Sequence, residues 1–151
     1  MTTPRTILIA KGVGNYCITC NNSTDAIKPG HIVTATGETA DTNNVCWPDA
    51  ADDMSLGVVG CAPGRDVGTA YAVGDMMPVY LVGSGTECWV RIKTSAGNIK
   101  RGVLLKHDGA TAVSGLAILG TEGVYENLGR ASMESPDEAN ERWCKVILTG
   151  G

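Results

Sequence analysis

The chain has 151 residues and a formal net charge of −4, and both numbers exclude classes of protein. The length fits one domain. The acidic balance and the scattered cations argue against a nucleic-acid binder, which needs a concentrated basic surface. No run approaches the ~18–20 apolar residues of a membrane-spanning helix, so neither nucleic acid nor a membrane is an expected partner. The N-terminus lacks the features of a signal peptide, and synthesis in a reducing cytoplasm is expected.

The first predicted unit is an N-terminal arm with a glycine hinge, residues 1–14, followed by a β-domain of residues 15–151. Residues Met1–Ala10 of the arm carry one charged side chain, Arg5, and end in a short aliphatic run. It either adds a strand to a partner's sheet edge or forms the first strand of the domain's own sheet, and both alternatives stay open. Its candidate partner contacts are Arg5, Ile7, Leu8 and Ile9.

Short runs with period-two alternation predict β-strands. In chain order they are Thr6–Ala10, Gly30–Ala35, Leu56–Cys61, Met77–Val82, Glu87–Lys93, Gly102–His107, Ser114–Leu119 and Trp143–Leu148. In the fifth run, Cys88, Val90 and Ile92 share the face predicted to be buried, while Trp89 lies on the opposite face. Twenty glycines supply the turns between these runs, because glycine enters positive φ without a steric penalty.

One helix is predicted, near the C-terminus. Ser135 is a suitable N-cap, Pro136 suits the first helical position, and Asp137 and Glu138 place acidic side chains in the first turn. A helix of one to two turns is therefore expected before the last strand. The sequence as a whole predicts a mainly β, compact antiparallel barrel or sandwich, with a long loop over Thr36–Ser55.

The cysteines provide two alternatives to simple burial. Cys61, Cys88 and Cys144 lie in apolar runs, where free cysteine behaves as a small hydrophobic residue. Cys17 and Cys20 have the spacing of a zinc knuckle but lack a second pair. Remote ligands such as His31 or Cys46 would be needed for zinc. The other alternative is a disulfide formed in the finished particle or on exposure to air. No metal or other cofactor is expected.

Catalytic signatures are weak throughout the chain. Only His31 and His107 could serve as a general base, and no nucleophile elbow surrounds any serine. Clustered carboxylates, such as Asp49, Asp52 and Asp53, are interpreted as solvated charge. The expectation is that the protein is not an enzyme and has no catalytic residues.

Two tryptophans complete the candidate partner contacts. Trp89 is on the outward face of its predicted strand, and Trp47 lies in the long loop. Aromatic side chains are enriched in interface hot spots, and the alternative is that both pack beneath loops of their own chain.

The order of turns and strands resembles the small capsid decoration, or cement, proteins of tailed viruses. The resemblance covers roughly residues 28–149. It rests on phrases of low specificity: Gly30-His-Ile-Val33, Leu56-Gly-Val-Val-Gly60, Asp66-Val-Gly68, Tyr71-Ala-Val-Gly-Asp75, Pro78-Val-Tyr-Leu81, Ile99-Lys-Arg-Gly-Val-Leu104 and Val146-Ile-Leu148. The long Thr36–Ser55 loop and the six cysteines depart from the family pattern.

This resemblance implies a β-barrel or β-tulip domain that forms a homotrimer on the exterior of the virion. Such proteins bind the major capsid protein of the expanded icosahedral head and stabilise it, and the family has no shared catalytic residues. The alternative expectation is a glycan- or ligand-binding β-module of a virion appendage, with Trp47 and Trp89 stacking on sugars. A small hydrolase using His31 or His107 is a third alternative.

Overall fold

The computed structural model describes residues 16–21, 25–35, 44–50, 52–109, 114–124 and 126–150. These residues form ten β-strands, which confirms the prediction of a mainly β protein. The strands are β1 (Tyr16–Asn21), β2 (Ile32–Ala35), β3 (Asn44–Cys46), β4 (Gly57–Val59), β5 (Met76–Leu81), β6 (Glu87–Ile92), β7 (Leu104–His107), β8 (Ala117–Leu119), β9 (Asn127–Ala131) and β10 (Arg142–Ile147). The predicted arm and the predicted strand over Thr6–Ala10 lie outside the described residues.

The strands form two five-stranded sheets, and in each sheet the pairing returns to its first strand. The first sheet has the order β1-β3-β2-β4-β5, with β5 pairing back to β1. The second has the order β10-β6-β8-β7-β9, with β9 pairing back to β10. Most neighbours are antiparallel, whereas β1–β3 and β6–β8 are parallel. Each described strand therefore has a partner on both sides.

The predicted alternation in β6 is confirmed. Cys88, Val90 and Ile92 are fully buried, and Trp89 is half-buried on the other face. β10 pairs along the whole length of β6, and its Cys144 and Val146 are also fully buried. Ile32 and Val58 of the first sheet belong to the same apolar cluster as these second-sheet residues. The two sheets therefore share this cluster, and a second buried cluster that includes Val33, Val59 and Met77 belongs to the first sheet.

Polar contacts of Arg91 also join the sheets. Its backbone N–H donates to the Gly30 carbonyl at 2.9 Å, and its Nε donates to the Pro29 carbonyl at 2.8 Å. Its guanidinium lies 4.4 Å from the centroid of the Trp143 ring and donates to Glu141 Oε1 at 2.6 Å. A Cβ at Gly30 would come within 2.3 Å of a Trp143 ring carbon, so this junction requires glycine there.

The predicted C-terminal helix is wrong: residues 135–142 are all described and contain no helix. Ser135 instead forms an antiparallel bridge with Ile99, and its hydroxyl accepts a hydrogen bond from Arg142 Nε at 2.9 Å. Asp137 accepts from the Gly97 N–H at 3.0 Å and from Arg142 Nη1 at 3.2 Å. Arg142 Nη2 donates to the Gly97 carbonyl. The side chains that would cap a helix are thus engaged by a fully buried guanidinium.

Replacing Arg142 tests this arrangement. Arg142→Ala should lower the free energy of unfolding by roughly 2 kcal/mol or more, because the buried Ser135 hydroxyl and the Gly97 carbonyl lose their donor. Arg130→Ala is the matched control, since its ion pair with Glu122 is exposed and contributes about 1 kcal/mol at most. Urea denaturation of both variants measures the difference, and equal losses would contradict a structural role for the buried guanidinium.

Candidate interaction surface

A turn ahead of β5 displays two apolar side chains. Val73 is 62% exposed and Met76 is 56% exposed. The other large apolar side chains that the structure shows exposed, Met54, Leu119 and Ile147, lie apart from each other in the sequence. We call residues Ala72 to Met76 the 72–76 turn. Val73 and Met76 are close in the sequence, and contiguous exposed apolar surface is a feature of interaction sites.

The backbone of the 72–76 turn is fixed by short-range hydrogen bonds. The Asp75 N–H donates to the Ala72 carbonyl at 3.0 Å, and the Asp75 carboxylate accepts from the Ala72 N–H at 2.7 Å. Gly74 has φ of +90°, the left-handed conformation that a type II turn requires at its third position. The aliphatic residue before Gly74 therefore points outward from a closed turn.

Tyr71 anchors this turn to the first sheet. Its side chain is buried, and its hydroxyl donates to the Gly60 carbonyl and accepts from the Ala62 N–H, both at 2.9 Å. Its backbone N–H donates to the Ile27 carbonyl at 2.8 Å. Burial raises the pKa of the Tyr71 hydroxyl, which keeps it protonated as a donor at neutral pH.

Arg65 adds a second brace. Its guanidinium lies 4.0 Å from the centroid of the Tyr71 ring, and its Nη2 donates to the Ala70 carbonyl at 2.9 Å. Its Nη1 is 3.6 Å from Asp75 Oδ2. Because both members of this ion pair are partly exposed, the pair itself contributes little, and the bracing comes from the stacked and hydrogen-bonded guanidinium.

The geometry suits recognition by an apolar pocket. A turn already held in one conformation loses little conformational freedom on binding, so more of the burial energy appears as affinity. Sequence reasoning did not select Val73 or Met76 as contacts. The available signal was the position of Val73 directly before Gly74 in a predicted turn, because connecting segments run over the surface.

Of the predicted contacts, Trp47 directly follows β3 of the first sheet and Trp89 lies in β6 of the second, and both are half-buried. The Trp47 indole N–H donates to His31 Nδ1 at 3.2 Å, and its backbone N–H donates to Asp25 Oδ2 at 2.9 Å. Lys145 Nζ lies 5.2 Å from the centroid of the Trp89 ring. The other predicted contacts, Arg5, Ile7, Leu8 and Ile9, lie outside the described residues.

Both histidines are buried and hydrogen-bonded. His31 Nδ1 accepts from the Lys28 N–H at 2.9 Å as well as from Trp47. His107 Nδ1 accepts from the Gly109 N–H at 2.9 Å, while its Nε2 is 2.7 Å from the Asp53 carbonyl and must be the protonated nitrogen. These contacts support loop structure and leave neither Nδ1 as a free base.

The structure describes the side chains of four cysteines, and all four are free thiols: Cys46, Cys61, Cys88 and Cys144. Burial raises the pKa of Cys144 to about 11, and burial together with nearby carboxylates raises the pKa of Cys46 to about 11. Both are therefore protonated and unreactive at neutral pH. Cys17 and Cys20 belong to β1, and the structure describes only their backbone. Among the residues described, no cluster of three or more metal-ligating side chains occurs.

Comparison with known proteins gives no family for this chain: no protein-family model matches it, and no curated protein sequence matches it significantly. Within the described ranges, no helix is long and apolar enough to cross a membrane.

The tyrosine anchor can be tested by removing one oxygen atom. Tyr71→Phe should lower the free energy of unfolding by about 1–3 kcal/mol, because the buried Gly60 carbonyl and Ala62 N–H both lose a partner. Thr149→Val removes an exposed hydroxyl and should change stability by less than about 0.5 kcal/mol. Chemical denaturation measures both, and a Tyr71→Phe value within the range of the control would contradict the anchoring role.

His31 should make stability depend on pH. Burial, together with the nearby Arg91 and Lys28 charges, lowers its pKa from 6.5 to about 3. Between these values the unfolded chain binds a proton that the folded chain excludes. The free energy of unfolding should therefore fall as the pH decreases below 6.5, with a slope approaching 1.4 kcal/mol per pH unit, on the order of one proton.

The variant His31→Asn isolates this contribution. The amide oxygen can accept the hydrogen bonds made to Nδ1 but does not titrate. Urea denaturation at several pH values between 7 and 4.5 should show a steeper decline for the wild-type chain than for the variant. Parallel curves would show that His31 does not exclude the proton.

Proposed function

We propose that this chain is a capsid decoration protein of a tailed virus, binding the outer surface of the expanded head through the 72–76 turn. The observation that carries the proposal is the exposed pair Val73 and Met76 on a braced turn. The turn lies within Tyr71-Ala-Val-Gly-Asp75, one of the phrases on which the resemblance to decoration proteins rests. The same short segment therefore carries part of the resemblance and the exposed apolar side chains that would contact a partner.

The size of this surface suits a protein that acts in many copies. Two apolar side chains form a weak contact by themselves, but an assembly that engages several sites at once gains effective concentration. We propose a homotrimer, because three copies of the turn would then face three capsid subunits together. The partner would be the major capsid protein, and the beta-barrel or β-tulip domain would lie on the exterior of the virion.

The closed pairing of both sheets supports the same role. Each described strand has two neighbours, so the described part of the chain offers no free strand edge for aggregation at high local density. The net charge of −4 is consistent with keeping decorated particles apart in solution. A decoration protein needs such a surface because many copies lie close together on one particle.

A glycan-binding module is the alternative function, and the environments of the tryptophans favour it less. Trp47 uses its indole N–H inside the chain, and Trp89 has a lysine ammonium over its ring. Sugar stacking needs an open aromatic face. A glycan array with the purified chain tests the alternative, and binding that Trp89→Ala abolishes would favour it over decoration.

Co-sedimentation with capsids tests the proposed function. The wild-type chain should bind empty expanded heads of its own virus saturably and should not bind unexpanded procapsids. The double variant Val73→Ser, Met76→Thr keeps Gly74 and the strand but removes the apolar surface. It should raise the apparent Kd by about tenfold or more, which corresponds to a loss of about 1.4 kcal/mol.

Leu119→Thr is the matched control, because Leu119 is an exposed apolar residue of β8 in the other sheet. It should bind expanded heads like the wild-type chain. If the wild-type chain binds neither capsid form, the decoration function is wrong. If it binds and the double variant is unaffected, the function holds but the 72–76 turn is not the contact.

A further inference from the structure

An open apolar cleft of about 770 Å³ lies where the two sheets meet. The first sheet and its loops contribute Met54, Leu56, Leu81 and Val82, and the second contributes Val124 and Asn127. Met54 is 64% exposed, the largest exposed fraction among the large apolar residues that the structure describes as exposed. A cleft lined mainly by aliphatic side chains is the usual character of a binding site.

Most polar side-chain groups at the cleft are used inside the chain, and the buried Asn127 Oδ1 is the exception without a hydrogen-bond partner. Thr34 Oγ1 donates to the Met54 carbonyl at 2.8 Å, and Ser55 Oγ donates to the Glu126 carbonyl at 2.8 Å. Asn127 Nδ2 donates to the Thr121 carbonyl at 2.7 Å. Most of the surface that remains to be covered is aliphatic, so the fitting occupant is mainly aliphatic too.

We propose that the N-terminal arm of the same chain occupies this cleft, with Ile7, Leu8 and Ile9 packed against Met54, Leu81 and Val124. The aliphatic sequence of the arm matches the lining. Of the other segments outside the described residues, the longest, 36–43, is polar and contains Glu38 and Asp41. This inference goes beyond the proposed function and does not depend on it.

The register of the first sheet supports this placement. β1 runs antiparallel to β5, with Tyr16 opposite Tyr80 and Cys20 opposite Met76. Tyr80, opposite the first described residue Tyr16, directly precedes Leu81 and Val82, which line the cleft. The arm therefore joins the described chain beside the cleft.

The length of the arm is also sufficient. Seven residue steps lead from Ile9 to Tyr16, and an extended chain covers up to about 3.3–3.6 Å per residue, so Ile9 can lie up to about 23–25 Å from Tyr16. Gly12 and Gly14 in this stretch allow the backbone to turn back toward the cleft. The arm can thus reach the cleft of its own chain without a second copy.

Methyl NMR of methionine-labelled full-length protein tests the proposal. Leu8→Asp places a charge on the arm and should expel it from the cleft. The Met54 methyl resonance should then move. The Met76 resonance, from the other end of β5, and the Met77 resonance, from the buried core, should stay in place and report that the fold is intact.

Thr3→Asp is the matched control, because it adds the same charge to the arm without removing an aliphatic side chain. It should leave the Met54 resonance unchanged. Val124→Asp changes the cleft instead of the arm and should give the same release as Leu8→Asp. A Met54 resonance that is unchanged in Leu8→Asp, with Met76 and Met77 also unchanged, overturns the proposal.

Limited trypsin digestion supplies a second readout at the bonds after Arg5 and Lys11. Docking should protect both bonds, so Leu8→Asp should speed their cleavage by roughly tenfold or more when cleavage follows the undocked population. Protection in the wild-type chain should not depend on protein concentration. Protection that disappears on dilution would place the arm in the cleft of a second copy and overturn the intramolecular proposal.

Discussion

The contact of Arg91 with the loop before β2 is the constraint on which the arrangement of the two sheets depends. The arginine belongs to β6, yet its Nε donates to the Pro29 carbonyl and its guanidinium lies over Trp143 of β10. Gly30 lets the loop approach the indole, since a Cβ there would overlap the ring. One long side chain thus supplies packing and directional hydrogen bonds at the same junction.

This junction forms one of the two proposed surfaces, the cleft, whereas the 72–76 turn is built within the first sheet. Because the sheets are joined, loops of both sheets line one cleft. The 72–76 turn lies on the surface of the first sheet, at the start of β5. The 72–76 turn is braced within its own sheet by Tyr71 and Arg65. The cleft exists only because two sheets meet. The conformation of the 72–76 turn therefore depends on local contacts, whereas the cleft depends on the packing of the two sheets.

Strand prediction succeeded where alternation is a local property. Each of the seven predicted strands inside the described residues overlaps an observed one, and the buried face of β6 is the predicted face. The sequence did not predict β1, β3 and β9. β3 lies within a polar loop, and Gly129 interrupts the alternation of apolar and polar residues in β9. The helix failed because Ser135 and Asp137, good capping residues, are bound instead by Arg142, which is fully buried.

By itself, the sequence determined the β class, the positions of the turns and the inward side of the strands. These follow from residue spacing and from the conformations that glycine allows. Only the tertiary structure decided the ring closure of each sheet, the fate of the C-terminal segment and the cleft between the sheets. Those features depend on partners far apart in the chain: Arg91 lies 62 residues from Pro29, and Ser55 lies 71 residues from Glu126. Spacing within a short window carries no information about such pairs, because they form only when the whole chain is folded.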